Sequence, residues 1–231
     1  AASACQECPS GRAGDQHGLS SLLDCPPCPA GTWSSAAGAT SLEACVDCPA
    51  GRFSQGTGQV SPFACRECVA GRWSASTGAS EVQDCRGCSM GRWSPVWGAT
   101  GAGVCRPCAA GTWSDTEAAD SGTTCSVCVQ GRFGNRSGAT SMGECRACPP
   151  GTWSSALGAT DGGACRSCGA GRYQPVPMAA DRSNCLPCPA GKYGGAGGAS
   201  ACSACGEGWW NDATGGTACR ACPVGRWSSA P

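Results

Sequence analysis

The chain contains no isoleucine, one lysine (Lys192) and one histidine (His17), and Leu, Val and Phe together number only 19 of 231 residues. So little aliphatic bulk excludes a conventional hydrophobic interior, because short segments of this composition bury too little surface to fold unaided. No apolar run approaches the roughly 20 residues that a membrane-spanning helix needs, so no span lies within the sequence. Glycines, 37 in all, interrupt every window in which a 3.6-residue apolar period could develop, so helices are not expected. No Ser-His-Asp arrangement can be assembled except through His17, which reads more simply as an exposed loop residue; the chain is read as not an enzyme. Sixteen basic and sixteen acidic residues, interspersed, leave no charged field for nucleic acid or anionic lipid.

What the sequence does hold is sulfur. Its 24 cysteines are about a tenth of the chain, the range of a disulfide scaffold, and imply an oxidising, extracellular or cell-surface compartment. They fall in Cys-x-x-Cys pairs: Cys5/Cys8, Cys25/Cys28, Cys45/Cys48, Cys65/Cys68, Cys85/Cys88, Cys105/Cys108, Cys125/Cys128, Cys145/Cys148, Cys165/Cys168 and Cys185/Cys188, in steps of 20. Two steps of 17 then reach Cys202/Cys205 and Cys219/Cys222. Each pair leads into Gly, a polar residue, an aromatic and usually Ser, followed by a Gly-Ala-Thr/Ser loop. Residues 1–231 thus read as one continuous array of about twelve repeats. The expected fold is a small disulfide-rich repeat array of irregular chain and short antiparallel ribbons, an elongated rod or solenoid without helices. Glycines such as Gly38, Gly58 and Gly78 are expected at φ > 0 in its turns.

The aromatic position holds Trp33, Phe53, Trp73, Trp93, Trp113, Phe133, Trp153, Tyr173, Tyr193 and Trp227. The expectation is that each ring covers its own disulfide. The preceding Arg, as in Arg72-Trp73, is solvated or stacks on a ring of an adjacent repeat. A weaker 40-residue pattern is superimposed at this residue, with Arg12, Arg52, Arg92, Arg132 and Arg172 in one set and Thr32, Arg72, Thr112, Thr152 and Lys192 in the other. Successive repeats facing alternate sides would explain it, and so would duplication in pairs.

Two pairing schemes are open. The second Cys of one pair can bond the first of the next (Cys8–Cys25, Cys28–Cys45 and onward), which leaves Cys5 and Cys222 to partners outside the chain. Alternatively, two pairs cross-link as a unit (Cys5–Cys25 with Cys8–Cys28). Under the first scheme, placing Ala1 after Pro231 continues the 14-residue span of the last two repeats without a gap. The ends then read as cut in mid-repeat, within a longer array or at a head-to-tail junction between copies. No signal peptide is visible at Ala1-Ala2-Ser3-Ala4, which reads as a mature or excised segment.

Cys-Pro-Ala-Gly-Thr-Trp-Ser at 28–34 and Cys-Pro-Ala-Gly-Lys-Tyr-Gly at 188–194 resemble ephrin-receptor-like cysteine-rich repeats and the first-disulfide module of tumour necrosis factor receptors. The resemblance implies the first pairing scheme, with the aromatic packed on that bond. It also implies an extracellular setting, such repeats occurring in large surface proteins of protists and algae. The uniform loop length departs from ligand-binding receptors, and no kinase or ephrin-binding segment is present to carry a receptor function over.

Cys-x2-Cys-x16-Cys-x2-Cys also lies within zinc-ribbon spacing, but twelve unbroken pairs in a Ser/Thr-rich chain favour disulfides, and no metal or cofactor is expected. Redox catalysis would need one reactive pair on a βαβ scaffold, which is absent. Asn135-Arg136-Ser137 is an N-glycosylation sequon in an expected surface turn, and the loop Ser and Thr residues are candidate O-glycan sites or plain turns. These features lead to a structural component of an extracellular filament, fibre or stalk, whose partners are copies of itself or further repeats. The alternative is a ligand-binding ectodomain, for which Trp93/Trp97 and Trp209/Trp210 are the only hints of a divergent patch.

Overall fold

A computed structural model describes residues 5–229. The stretches Ala1–Ala4 and Ala230–Pro231, with the junction expected across them, lie outside the described residues. The chain divides into two compact units. The first runs to Arg106 and takes in Thr116–Thr124, and the second holds Pro107–Asp115 and continues from Cys125.

Both units are built from one local design. In most repeats the chain turns at a glycine after the second Cys and runs extended for two residues, including the aromatic. In the nine 17-residue loops it then passes a second residue at positive φ, usually glycine, into a single 3-10 turn that ends at the next first Cys, whereas the two 14-residue loops lack this turn. In the repeat closed by Cys28 and Cys45, Thr32–Trp33 pairs antiparallel with Val46–Asp47, in the register Thr32↔Asp47 and Trp33↔Val46. Ten such two-stranded ribbons recur among the described residues, and no α-helix forms there. The 3-10 turns, for example Leu42–Ala44 and Pro62–Ala64, are three residues long. Pro62 opens the second of these, and the Ser61 hydroxyl accepts the Phe63 N–H, which satisfies a donor that a longer helix would leave to water.

Strands of two residues cannot hold a sheet together. Backbone bonds to the next repeat take over that task. The Gly51 N–H donates to the Ser74 carbonyl (2.9 Å), Ser54 N–H to Ala79 (3.1 Å), and Cys68 N–H to Gly51 (2.8 Å). The same three bonds recur in the second unit, from Gly131 to Ser154, Gly134 to Ala159 and Cys148 to Gly131 (2.8, 2.9 and 2.8 Å). Contact also reaches the next repeat but one. A Cβ on Gly31 (φ +86°) would lie 2.2 Å from the Gly78 carbonyl oxygen, and one on Gly151 would lie 2.0 Å from that of Gly198. The approach is made alike by the Thr32 and Arg52 repeats, Gly51 meeting Gly98 as Gly31 meets Gly78.

The loop glycine faces the residue before the second Cys 31 positions earlier: Gly78 sits over Asp47, and Gly98 over Glu67. Ala118 takes this place with φ +53°, and its Cβ is accommodated because the facing residue is Gly87. The interior is composed of cystine sulfur, backbone and small side chains. Ser54, Ser74 and Ser94 are buried beside Ala79 and Ala99, and Phe53 is a rare large side chain among them.

Gly31→Ala places a methyl on a carbonyl two repeats away in a left-handed backbone, and is expected to cost about 1–3 kcal/mol. Gly103→Ala, where a Cβ meets nothing within 4 Å, should stay within about 0.5 kcal/mol of the parent. Thermal unfolding of the two oxidised proteins checks this, and equal Tm values would contradict the close approach.

Candidate functional site

The recurring site is the repeat junction, built on disulfides. Eleven bonds join the second Cys of each pair to the first Cys of the next. In the first unit they are Cys8–Cys25, Cys28–Cys45, Cys48–Cys65, Cys68–Cys85 and Cys88–Cys105. Cys108–Cys125, Cys128–Cys145, Cys148–Cys165 and Cys168–Cys185 continue the series in the second unit, all nine across 17 residues. Cys188–Cys202 and Cys205–Cys219 each span 14. Each loop closure contributes roughly 3 kcal/mol in the chain-entropy account. Cys5 is exposed and Cys222 half-buried, and both are unbonded. Among the described residues no three His, Cys, Asp or Glu side chains gather in a metal-holding group.

The second cysteine in each of the eleven bonds is buried, and several first cysteines, such as Cys65 and Cys85, are buried too. Cys88 and Cys108, expected from the sequence to be disulfide-bonded, are joined to Cys105 and Cys125 and lie in the interior at 1% and 0% exposure. The reason lies in the backbone around them. The Cys88 carbonyl accepts the Ala118 N–H, and the Cys108 carbonyl accepts the Gly138 N–H (2.8 Å each), so a loop 30 residues on closes over each one.

Three of the rings pack against the following repeat. Phe53, in the repeat closed by Cys48–Cys65, clusters with Cys68, Cys85 and Ala79 of the following repeat. Trp93 likewise lies against Gly122, and Phe133 against Gly162, each in the next repeat's 3-10 turn. The reason is the parallel backbone bridge, which sets each aromatic beside a residue 26 positions on, as in Phe53↔Ala79 and Phe133↔Ala159. In two repeats the glycine after the aromatic lies close to that repeat's own disulfide. A Cβ at Gly134 would sit 3.1 Å from Cys128 Sγ, and one at Gly194 would sit 3.2 Å from Cys188 Sγ. Trp33, Trp73, Trp113, Trp153, Tyr173 and Tyr193 are half-buried, whereas Trp227 is 83% exposed and does not pack as expected.

The arginines also differ from expectation. The Arg that follows the turn glycine, at six positions from Arg12 to Arg172, bonds the backbone, although Arg92 and Arg172 stay exposed to solvent. Its Nη1 donates to the carbonyl of the Cys 13 residues on: Arg12 to Cys25 (2.8 Å), Arg72 to Cys85 (2.9 Å), Arg92 to Cys105 (2.9 Å) and Arg172 to Cys185 (2.7 Å). Arg52 bonds Cys65 in the same way and pairs through Nη2 with Glu67. Where Thr replaces Arg, its hydroxyl donates three residues back, as from Thr32 to Pro29 (2.9 Å) and Thr152 to Pro149 (2.7 Å). The two residue types thus make different bonds, Arg to the cysteine carbonyl 13 residues on and Thr within its own turn.

A different arginine stacks on the ring. The residue after the next first Cys lies directly across the ribbon from the aromatic. Arg86 stands 5.9 Å from the Trp73 ring, Arg106 5.6 Å from Trp93, and Arg166 5.8 Å from Trp153. The Cys-Arg dipeptides at 65–66, 85–86, 105–106 and 165–166 are visible in the sequence, but only the ribbon register reveals their partners. Asn135 is exposed at its loop, open to solvent as an acceptor must be.

Carboxylates fasten several 3-10 turns. The Ser20 and Ser21 N–H groups donate to Asp24 (2.8 and 2.9 Å) and hold its carboxyl below the usual range, aided by their hydroxyls. The Thr140 N–H and hydroxyl do the same for Glu144 (2.7 and 3.0 Å), and the Ser183 N–H for Asp181 (2.7 Å).

With this geometry in view, comparison with known families is direct. Residues 37–85 match the family model described as tyrosine-protein kinase ephrin type A/B receptor-like. That segment resembles an ephrin-receptor repeat. It covers about two of the repeats described above, and modules of this kind are cysteine-rich, typically non-enzymatic ectodomain units. No curated protein matches the chain. The disulfides and the ephrin-receptor-like segment together point to an extracellular location, and among the described residues no helix is long and apolar enough to cross a membrane.

Arg72→Gln should speed reduction of Cys68–Cys85 by dithiothreitol roughly fivefold, the effect of about 1 kcal/mol for a half-exposed charged bond. Arg136→Gln, which leaves every carbonyl clamp in place, should not; equal rates by mass spectrometry would contradict the clamp. Because Asp24 and Glu144 have lowered folded pKa values, their stabilisation is full above the unfolded value and fades as pH falls through the folded one. The Ser20 and Ser21 amide NMR signals should therefore titrate with a midpoint below that of an unstructured aspartate, and the Thr140 signal below that of an unstructured glutamate; midpoints at or above those of the unfolded chain would contradict the caps.

Proposed function

We propose that the chain is a structural component of an extracellular filament, fibre or cell-surface stalk, in which disulfide-closed repeats serve as a mechanical support. The observation that carries this reading is uniformity. One set of backbone bonds recurs from repeat to repeat in each unit, at one offset through the nine 17-residue loops and at a shorter one in the two 14-residue loops, with no loop enlarged for a separate task. In such an array bending one repeat strains a covalently closed loop and its bonded neighbours, which resists deformation along the chain.

Cys222 and Cys5 occupy places whose counterparts are bonded in the other repeats. The segment after Cys222 is already set for that bond. The Gly208 N–H donates to the Ser228 carbonyl (3.1 Å), matching the Gly191 bond to Asn211 (2.7 Å), and Ser228 Oγ lies 3.4 Å from Cys222 Sγ. We assign to these cysteines a head-to-tail bond with a following block, a copy of the chain or further repeats, an open heterologous assembly. Glycans at Asn135 and on loop hydroxyls would project from exposed turns.

Native material under the electron microscope should show filaments with a repeating axial unit, and non-reducing electrophoresis of the chain should show a ladder that Cys222→Ser removes. Dispersed short particles and a single reduction-insensitive band would overturn the assembly.

A further inference from the structure

Departures from a regular repeat show where something other than support is at work. The residue before the loop glycine is mostly small, polar or charged, as in Thr57, Thr77, Glu117 and Ser137; in the fifth loop it is Trp97, 60% exposed. A monomeric surface holds so large an apolar face open to water only at some cost.

Trp97 borders an open groove within the first unit. Phe53 lies in its wall, and Val69 and Val82, 45% and 44% exposed, form an apolar shelf. Three guanidiniums and one carboxylate ring this shelf: Arg52, Arg66, Arg72 and Glu67. Their commitments differ. Arg52 is held by the Cys65 carbonyl and by Glu67, which neutralises it. Arg72 gives one N–H to the Cys85 carbonyl. Arg66, exposed and across the ribbon from Phe53, makes no hydrogen bond or ion pair among the described residues. The groove therefore combines a flat indole face, a short apolar floor and uncompensated positive charge.

We propose that this groove binds an anionic saccharide, one sugar ring seated on the Trp97 indole and its carboxylate or sulfate held by Arg66 and Arg72. A sugar presents an apolar C–H face that suits an exposed aromatic, and guanidinium is the side chain best matched to a planar or tetrahedral oxyanion. A peptide strand fits less well, since the neighbouring strands are two residues long and offer too short an edge to extend. The site goes beyond the scaffold reading and does not depend on assembly.

The test is isothermal titration of the full chain at low salt with oligogalacturonate, with a sulfated galactan oligosaccharide, and with neutral cello-oligosaccharide as control, while the Trp97 indole NMR signal is followed. Binding of the carboxylated probe, the sulfated probe or both, with a shift of that signal and loss of affinity on adding salt, supports the site and identifies the anion. Trp97→Ala and Arg66→Gln should each weaken binding about tenfold or more. Trp209→Ala, which removes an exposed indole elsewhere, should leave it unchanged. Trp97 and Arg66 are exposed, so these variants keep the fold; matching disulfide maps verify this. Absence of heat with both anionic probes, equal binding of the neutral one, or undiminished binding by Trp97→Ala would overturn the proposal. Cys222→Ser should bind as the parent does, so a failure of filament assembly and a failure of this site are read separately.

Discussion

The bond from the second cysteine of one pair to the first of the next fixes where everything else must go. It closes 17 residues into a loop and draws together two chain segments that would otherwise share only a two-residue ribbon. Once the loop is closed, the glycine after the aromatic lies close to its sulfur at Gly134 and Gly194, and the aromatic is carried to the following repeat, as at Phe53. The cross-link and the hydrophobic contact thus act on different junctions. Sulfur holds each repeat to itself, and the ring holds it to its successor.

This division accounts for a composition that would not fold by burial alone. Cysteine, serine, alanine and glycine fill the interior, and glycine is required where backbone meets backbone two repeats apart, as at Gly31 against Gly78. Charged side chains contribute by closing backbone bonds, since the Arg clamps reach carbonyls that no strand partner satisfies. Substitutions occur in compensated pairs. Ala118 stands where glycine is usual because Gly87 faces it, and Met178, also at positive φ, belongs to the same series of loop positions.

Much of this was legible in the sequence. The period of 20, the ribbons and turns, the cystine scaffold and the left-handed glycines at 38, 58 and 78 follow from spacing and residue type. The pairing was left open by the spacing, and the family resemblance pointed to the pattern the structure has. The destination of the side chains was not legible. Spacing marks Cys88 and Cys108 as bonded, but their burial depends on loops 30 residues further along. Trp73 and Arg72 are adjacent in sequence, yet Trp73 meets Arg86 across the ribbon while Arg72 reaches the Cys85 carbonyl. A linear motif carries neither the register of a two-residue ribbon nor the 26-residue offset of the bridge to the next repeat. Trp97 is visible as an irregularity, but its groove with Arg66 and Arg72 requires three successive repeats to be placed together.

Peptide mapping of the unreduced protein by mass spectrometry tests the central claim most directly. The account predicts cystine peptides joining Cys28 to Cys45, Cys48 to Cys65 and so on along the array, each bridging neighbouring pairs once. Peptides that join Cys25 to Cys5 and Cys28 to Cys8, or unoxidised thiols within the pairs from Cys8 to Cys219, would contradict it.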